Sequence, residues 1–138
     1  MKSVGKKHRF TAHMLIEEFM IQANVCAAET LIAKKSPCMF RVHEQPDRDK
    51  LEGLHEILGD MDISFAKGQV LKTSTFNNIL AQAKTETDKE LVSALVLRSQ
   101  SQAVYSPDNR HHFGLNLKNY AHFTSPIRRY ATCWSIAV

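Results

Sequence analysis

Hydrophobic and polar positions follow helical periods along most of this chain. From about Arg9 to Lys35 it lacks Gly and Pro, is rich in Ala, Leu, Ile, Met and Glu, and closes on two lysines that suit a helix C-terminus. These features predict one long helix, halted by Ser36-Pro37. Cys38 to Val42 reads as a short strand running into a turn at Glu44-Gln45-Pro46-Asp47. A second helix is predicted over about Arg48 to Leu58, with Leu51, Leu54, Ile57 and Leu58 as a core-facing stripe and Gly59 near its end. A short Ile63–Phe65 segment and Gly68 lead to a third helix, about Thr73 to Ala83, with Phe76, Ile79, Leu80 and Ala83 on one side. A fourth runs from about Asp88 to Arg98, capped by Thr87 or Asp88.

Beyond Arg98 the texture changes. Ser99 to Tyr105 alternates weakly, as a strand would, and Ser106-Pro107-Asp108-Asn109 has the composition of a turn. His112 to Thr124 mixes aromatic and polar residues without helical period, which predicts strand and loop. Thr124-Ser125-Pro126 then signals a last helix, with Ser125 as N-cap and Pro126 as its first residue. The fold class expected is α+β, mostly helical, with a few short strands.

Length and composition narrow the class. The 138 residues make at most one ordinary domain, and 43% hydrophobic with 23% charged excludes disorder and collagen. The three cysteines, Cys26, Cys38 and Cys133, are odd in number and contain no Cys-x-x-Cys pair, which speaks against a disulfide framework or a zinc knuckle. Reduced thiols, a basic N-terminus with no apolar signal core after it, and no apolar run of roughly 20 residues point to a cytoplasmic protein without a membrane span. Lys+Arg 18 against Asp+Glu 14 leaves +4, enough to permit an anionic partner without requiring one. The positive charge sits in four clusters: Lys6-Lys7-His8-Arg9, Lys34-Lys35, Arg110-His111-His112 and Arg128-Arg129.

Two places stand out chemically. On the first helix Glu18, Gln22 and Glu29 lie within roughly 40° of one another and define a wet face. Glu17 lies roughly 100° away, near His13 and in line with Asn24, among Met20, Ile21 and Ala28. There it is either half exposed, paired with an arginine, or facing a cleft. His13 with Glu17 has metal-ligand spacing, but no third ligand follows at suitable distance. The second place is Thr124 to Tyr130. With Pro126 opening a helix, Arg128 and Arg129 occupy its first turn, where the macrodipole disfavours cations by about 0.3–1 kcal/mol each, so an anion should compensate. Free N–H groups, the Ser125 hydroxyl and a planar guanidinium make a phosphate receptor. An internal Arg–carboxylate pair is the competing account. Tyr105, His112, Phe113, Tyr120, His122 and Phe123 interleave with this basic material either as base-stacking platforms or as core. Cys26 falls among apolar residues and reads as packing. No Gly-x-Ser-x-Gly elbow is present, and Asp47, Asp49, Asp60, Asp62, Asp88 and Asp108 are dispersed rather than clustered.

These residues also carry a resemblance. Ala12 to Met20, Phe40-Arg41-Val42-His43-Glu44, His112-Phe113-Gly114-Leu115 and above all Tyr120-Ala121-His122-Phe123-Thr124-Ser125-Pro126-Ile127-Arg128-Arg129-Tyr130 resemble the ribonuclease II/ribonuclease R family, on its bacterial ribonuclease R side. The similarity runs in order over residues 9–130 and corresponds to the C-terminal half or so of the family's RNB catalytic domain. The family degrades RNA processively from its 3′ end, releasing nucleoside 5′-monophosphates with Mg2+ held by a group of aspartates. The resemblance implies that Arg128 clamps a phosphate near the scissile bond and that Glu17 orients the terminal nucleotide. Ser125, Arg129, Tyr120, His122 and His112 join them as RNA-contacting candidates. The aspartate group, the tyrosine that grips the terminal nucleotide and the flanking oligonucleotide-binding domains belong to parts that this sequence does not match. The resemblance therefore implies a nuclease fragment that clamps the 3′ end of single-stranded RNA, holds no Mg2+ of its own and is inactive alone. The alternative is a non-catalytic RNA-binding or interaction module that associates with itself or with an intact nuclease. Residues 131–138, Ala-Thr-Cys-Trp-Ser-Ile-Ala-Val, leave the family pattern. The family's codons read after loss of one base can yield most of this run, which suggests a frameshifted tail on a gene remnant.

Overall fold

The computed structural model describes residues 10–64 and 72–137. Phe65 and Gly68 of the expected connecting segment, and the basic cluster at residues 6–9, lie outside the described residues. The chain divides into two compact units, Met1–Phe40 with Tyr105–Asp108 and Asn119–Val138, and Arg41–Val104 with Asn109–Lys118.

The second unit holds a helical core. Helices α2 (Arg48–Gly59), α3 (Thr73–Gln82) and α4 (Glu86–Ser99) follow the predicted spans closely. Leu54 and Leu58, Phe76, Ile79 and Ala83, and Val92 and Val96 meet in one cluster with Ile63, each set at the three- or four-residue spacing that aligns side chains on one helix face. Ile57, expected in the stripe, is 46% exposed. Its helical angle lies roughly 60° past that of Leu54, beyond the sector the core covers. The start of α4 also differs from expectation. Thr85, not Thr87 or Asp88, is the cap: its hydroxyl accepts the Asp88 N–H at 3.1 Å while Asp88 Oδ2 accepts the Thr85 N–H at 3.3 Å, a reciprocal box that begins the helix at Glu86. A single 3₁₀ turn, Phe113–Leu115, rests on this core through the edge of Phe113 against Phe76.

The first unit is organised by α1 (Thr11–Ala33), which buries Asn24, Ala28 and Leu31. Its N-terminal half is exposed on every side, with Phe10, Leu15, Ile16 and Phe19 all in solvent. Glu17 is exposed too, so the desolvation cost that its apolar neighbours suggested does not arise. Cys26 is exposed rather than packed, its sulfur accepting from Gln22 Nε2 at 3.6 Å. The strands β1 (Phe40–Val42) and β2 (Val104–Ser106) form a two-stranded sheet, shorter than the alternation predicted. Among the described residues no helix is long and apolar enough to cross a membrane.

The largest departure from expectation is at the C-terminal helix. Pro126–Arg128 forms one 3₁₀ turn, Arg129 is extended (φ −138°, ψ 100°), and helix α5 spans Tyr130–Ala137. Ser125 is left-handed (φ 65°, ψ 57°) and its hydroxyl caps nothing. Arg128 and Arg129 therefore precede α5 instead of occupying its first turn, and the macrodipole penalty argued from sequence does not fall on them.

Candidate functional site

The first unit builds its surface around Asn24. Asn is a poor residue for a helix interior, where its amide competes with the backbone. Here the amide, 2% exposed, is fully used across a long sequence separation. Its Oδ1 accepts the N–H groups of Phe123 (2.8 Å) and Thr124 (3.0 Å), and its Nδ2 donates to Tyr120 Oη at 3.1 Å. One helical side chain thus pins residues 120–124. Thr124 passes the constraint on: its carbonyl accepts from Arg129 Nη1 (3.3 Å) and from Thr132 Oγ1 (3.1 Å). Between these anchors Ser125 is forced left-handed, a conformation that costs a non-glycine residue about 1–2 kcal/mol. Pro126 bars it from the right-handed helical region.

The two adjacent arginines consequently diverge. Arg129 is half-buried and turned back onto Thr124, whereas Arg128 is exposed, and among the described residues its guanidinium has no hydrogen-bonding or ionic partner. The internal carboxylate pair that competed with a phosphate role for Arg128 is not formed among those residues. Arg128 borders an open cavity of about 280 Å³, which Tyr105, Arg129, Tyr130 and Trp134 also line. Tyr105 is fixed there by a 2.6 Å hydrogen bond between its hydroxyl and His122 Nδ1, and the two rings meet edge to face at 5.5 Å.

The other sequence candidates separate. Tyr120 is only 8% exposed, with its hydroxyl held by Asn24, so it is scaffold rather than a stacking platform. His122 is half-buried between Tyr105 and Tyr120. Ser125 is half-buried at the left-handed bend. Phe123 and Tyr105 keep exposed faces, each 42% accessible. His112 and Phe113 belong to the second unit. There burial, followed by the nearby charges of His43 and Arg41, lowers the His112 pKa to about 4, against the push of a backbone hydrogen bond. At neutral pH it is uncharged and offers no cation to a phosphate. The rest of that basic cluster is engaged internally: Arg110 pairs with Glu44 at 2.6 Å, and His111 Nδ1 hydrogen-bonds to the Lys118 carbonyl at 2.9 Å. Asn24 and Trp134 are the residues the sequence reading did not assign to a site. A polar side chain seven residues after Glu17, within an apolar stretch of helix, was the available signal for Asn24.

A magnesium centre of the kind the resemblance implies needs several carboxylates converging on one point. Among the described residues no group of three or more His, Cys, Asp or Glu side chains is placed to hold a metal ion. The described residues do not fit such a centre.

Comparison with known proteins agrees with the architecture. The RNB domain model matches residues 1–132. Ribonuclease R from Buchnera aphidicola (Schizaphis graminum strain) is 42% identical over 130 residues, covering 94% of this chain and 18% of that protein. Ribonuclease R from Vibrio cholerae is 43% identical over 130 residues, covering 94% and 16%. The structure of Mycoplasma genitalium RNase R in complex with ribose-methylated single-stranded RNA superposes with a TM-score of 0.83 at 31% identity, over 94% of this chain and 20% of that one. The chain spans less than a fifth of the length of these two curated relatives. With a family model matching all but its last six residues, the chain belongs to the RNB domain family and is similar to ribonuclease R.

Proposed function

We propose that this chain is the 3′-end clamp of a ribonuclease R-like exoribonuclease, binding single-stranded RNA through a backbone phosphate on Arg128 and through Glu17 at the terminal nucleotide. The observation that carries this reading is the split fate of the arginines: Arg129 is tied to Thr124, while Arg128 is exposed, with no described partner, beside an aromatic-lined cavity. A planar guanidinium left unpaired next to aromatic rings suits phosphate and base recognition together. The similarity to RNase R bound to single-stranded RNA supports the same substrate class. Hydrolysis in this family is metal chemistry, so this chain alone binds RNA and releases no nucleotide.

The test is fluorescence anisotropy with 5′-labelled single-stranded RNA, whose 3′ end is left free, across a salt series. Arg128→Ala should weaken binding and reduce the slope of log affinity against log salt by about 0.7, one phosphate's worth. An unchanged affinity and slope would remove Arg128 from the clamp. Incubating the same RNA with magnesium should give binding without nucleoside monophosphate, and release of monophosphate would refute the inactive-clamp reading. A second reading, an interaction module that self-associates, is favoured by one observation. Leu15, Ile16 and Phe19 lie within about 100° of one another on the exposed half of α1, and an apolar stripe of that width is normally covered. A concentration-dependent multimer in sedimentation would support it, and a monomer at all concentrations would exclude it.

A further inference from the structure

We infer that the cavity beside Arg128 is a nucleobase-stacking pocket whose key wall, Trp134, lies outside the segment that the family model matches. The inference rests on the clamp reading of Arg128 and names what lies next to the clamped phosphate. Tyr130 and Trp134 are four residues apart on α5, so their side chains share one face, opposite the sector that buries Thr132 and Ser135. Both remain accessible, at 83% and 46%. Tyr105 contributes a third ring, already immobilised by its 2.6 Å bond to His122, so stacking there loses little side-chain entropy. Around these rings the charged groups are Arg129, drawn back to Thr124, and Arg128. A space walled by aromatic faces and bordered by an unpaired guanidinium matches a flat aromatic ligand carrying an anionic group. A nucleobase attached to its 5′-phosphate has that chemistry, and a saturated lipid anion or a bare phosphate does not. Trp134 lies two residues past the last one matched by the family model, so this wall is not part of the matched family pattern.

The chain has a single tryptophan, so its tryptophan emission reports on Trp134, which lines this cavity and also borders a second one beside Pro37 and Cys38. Quenching that arises in this pocket should be weakened by Tyr105→Ala, and quenching indifferent to that change would overturn the assignment. Titration of the full chain with adenosine 5′-monophosphate should quench that emission to saturation, while ribose 5-phosphate, which lacks the base, should not. No quenching by the nucleotide, or equal quenching by octanoate, would overturn the proposal. Trp134→Leu should weaken single-stranded RNA binding by about ten-fold, from the energy of stacking one base. Its salt slope should stay unchanged, because no phosphate contact is lost. RNA affinity equal to that of the unmodified chain would also overturn it. The wild-type quenching needs no variant and decides the matter should Trp134→Leu fail to fold. The two readings fail separately. Loss of the Trp134 effects with an intact Arg128 effect removes the pocket and leaves the clamp. Quenching that is indifferent to Arg128→Ala, with RNA affinity and salt slope likewise indifferent, removes the clamp and leaves a base pocket without its phosphate.

Discussion

Replacing Asn24 by leucine isolates the link on which the geometry of residues 120–124 depends. The two side chains are close in size, so the perturbation is chemical rather than steric. Three hydrogen bonds vanish, to Tyr120 Oη and from the Phe123 and Thr124 amides. At about 1 kcal/mol net each they sum to about 3 kcal/mol. Leucine returns part of this through its better helix propensity, up to about 0.5 kcal/mol. Added apolar burial returns roughly as much again. The expected net loss is about 2 kcal/mol, or about 8 °C in melting temperature for a chain of this size. The local consequence is more specific. With its amide released, Thr124 exchanges its backbone hydrogen faster, and the restraint that holds Ser125 left-handed is weakened. Asn24→Asp should lose much less, since a carboxylate still accepts both amides and can accept from the Tyr120 hydroxyl in place of donating to it. Urea denaturation with amide exchange at Phe123 and Thr124 checks both variants. Stability within about 0.5 kcal/mol of the unmodified chain, with unchanged exchange at Thr124, would refute the assignment of Asn24 as the pin of this segment.

Two further outcomes follow in the second unit. A Cβ added at Gly114 would lie 2.7 Å from His43 Nδ1, the atom that accepts the Gly114 N–H at 2.9 Å, so Gly114→Ala should cost about 1–3 kcal/mol in urea denaturation; an unaffected midpoint would show that His43 yields freely. His112 has its folded pKa lowered to about 4, below its unfolded value of about 6.5, so the unfolded chain takes up the proton first. Its contribution to stability is complete above about pH 6.5 and is lost as pH falls toward about 4; His112→Gln should flatten the stability profile in that window, and an unchanged slope there would contradict the shift.

The helical part of the fold was legible because its signal is local. The spacing of Leu54 and Leu58, of Phe76, Ile79 and Ala83, and of Val92 and Val96 identifies the buried faces before any partner is known. What failed was whatever needed the partner's extent. Ile57 carries the right chemistry for the core of the second unit, but a helical wheel does not say how wide a sector that core covers. The exposure of Glu17 and of Cys26 has separate causes: Glu17 lies in the first half of α1, where residues 11–19 are all exposed, and Cys26, in the second half, lies about 160° round the helix from the buried Asn24 and Ala28. At α4 the miss was a choice between competing hydroxyls. Thr85 and Thr87 are equally good caps by type, and each has an acidic side chain three residues on, Asp88 and Glu90, so the local pattern does not choose between them; in the fold it is Asp88 that returns the hydrogen bond, to Thr85.

In residues 124–130 the sequence signals a helix start but not the break within it. Ser125-Pro126 does mark the start of helical backbone, yet the regular helix begins only at Tyr130. The reason lies in contacts that no local pattern encodes. Arg129 reaches back to the Thr124 carbonyl, which requires an extended backbone at Arg129 and so interrupts the helix one residue after the 3₁₀ turn. That carbonyl is itself held in place by Asn24 through the Thr124 amide, from a helix about a hundred residues earlier. Had the helix run unbroken from Pro126, residues 128 and 129 would share one turn about 100° apart, both under the same dipole. The break gives them different tasks instead. One guanidinium stabilises the bend, and its neighbour is left outside it, exposed beside the cavity lined by Tyr105 and Trp134. The availability of Arg128 to an anionic ligand is therefore a consequence of the commitment of Arg129, and a change that frees Arg129 from Thr124 should disturb the position of Arg128 even though the two side chains do not need to touch.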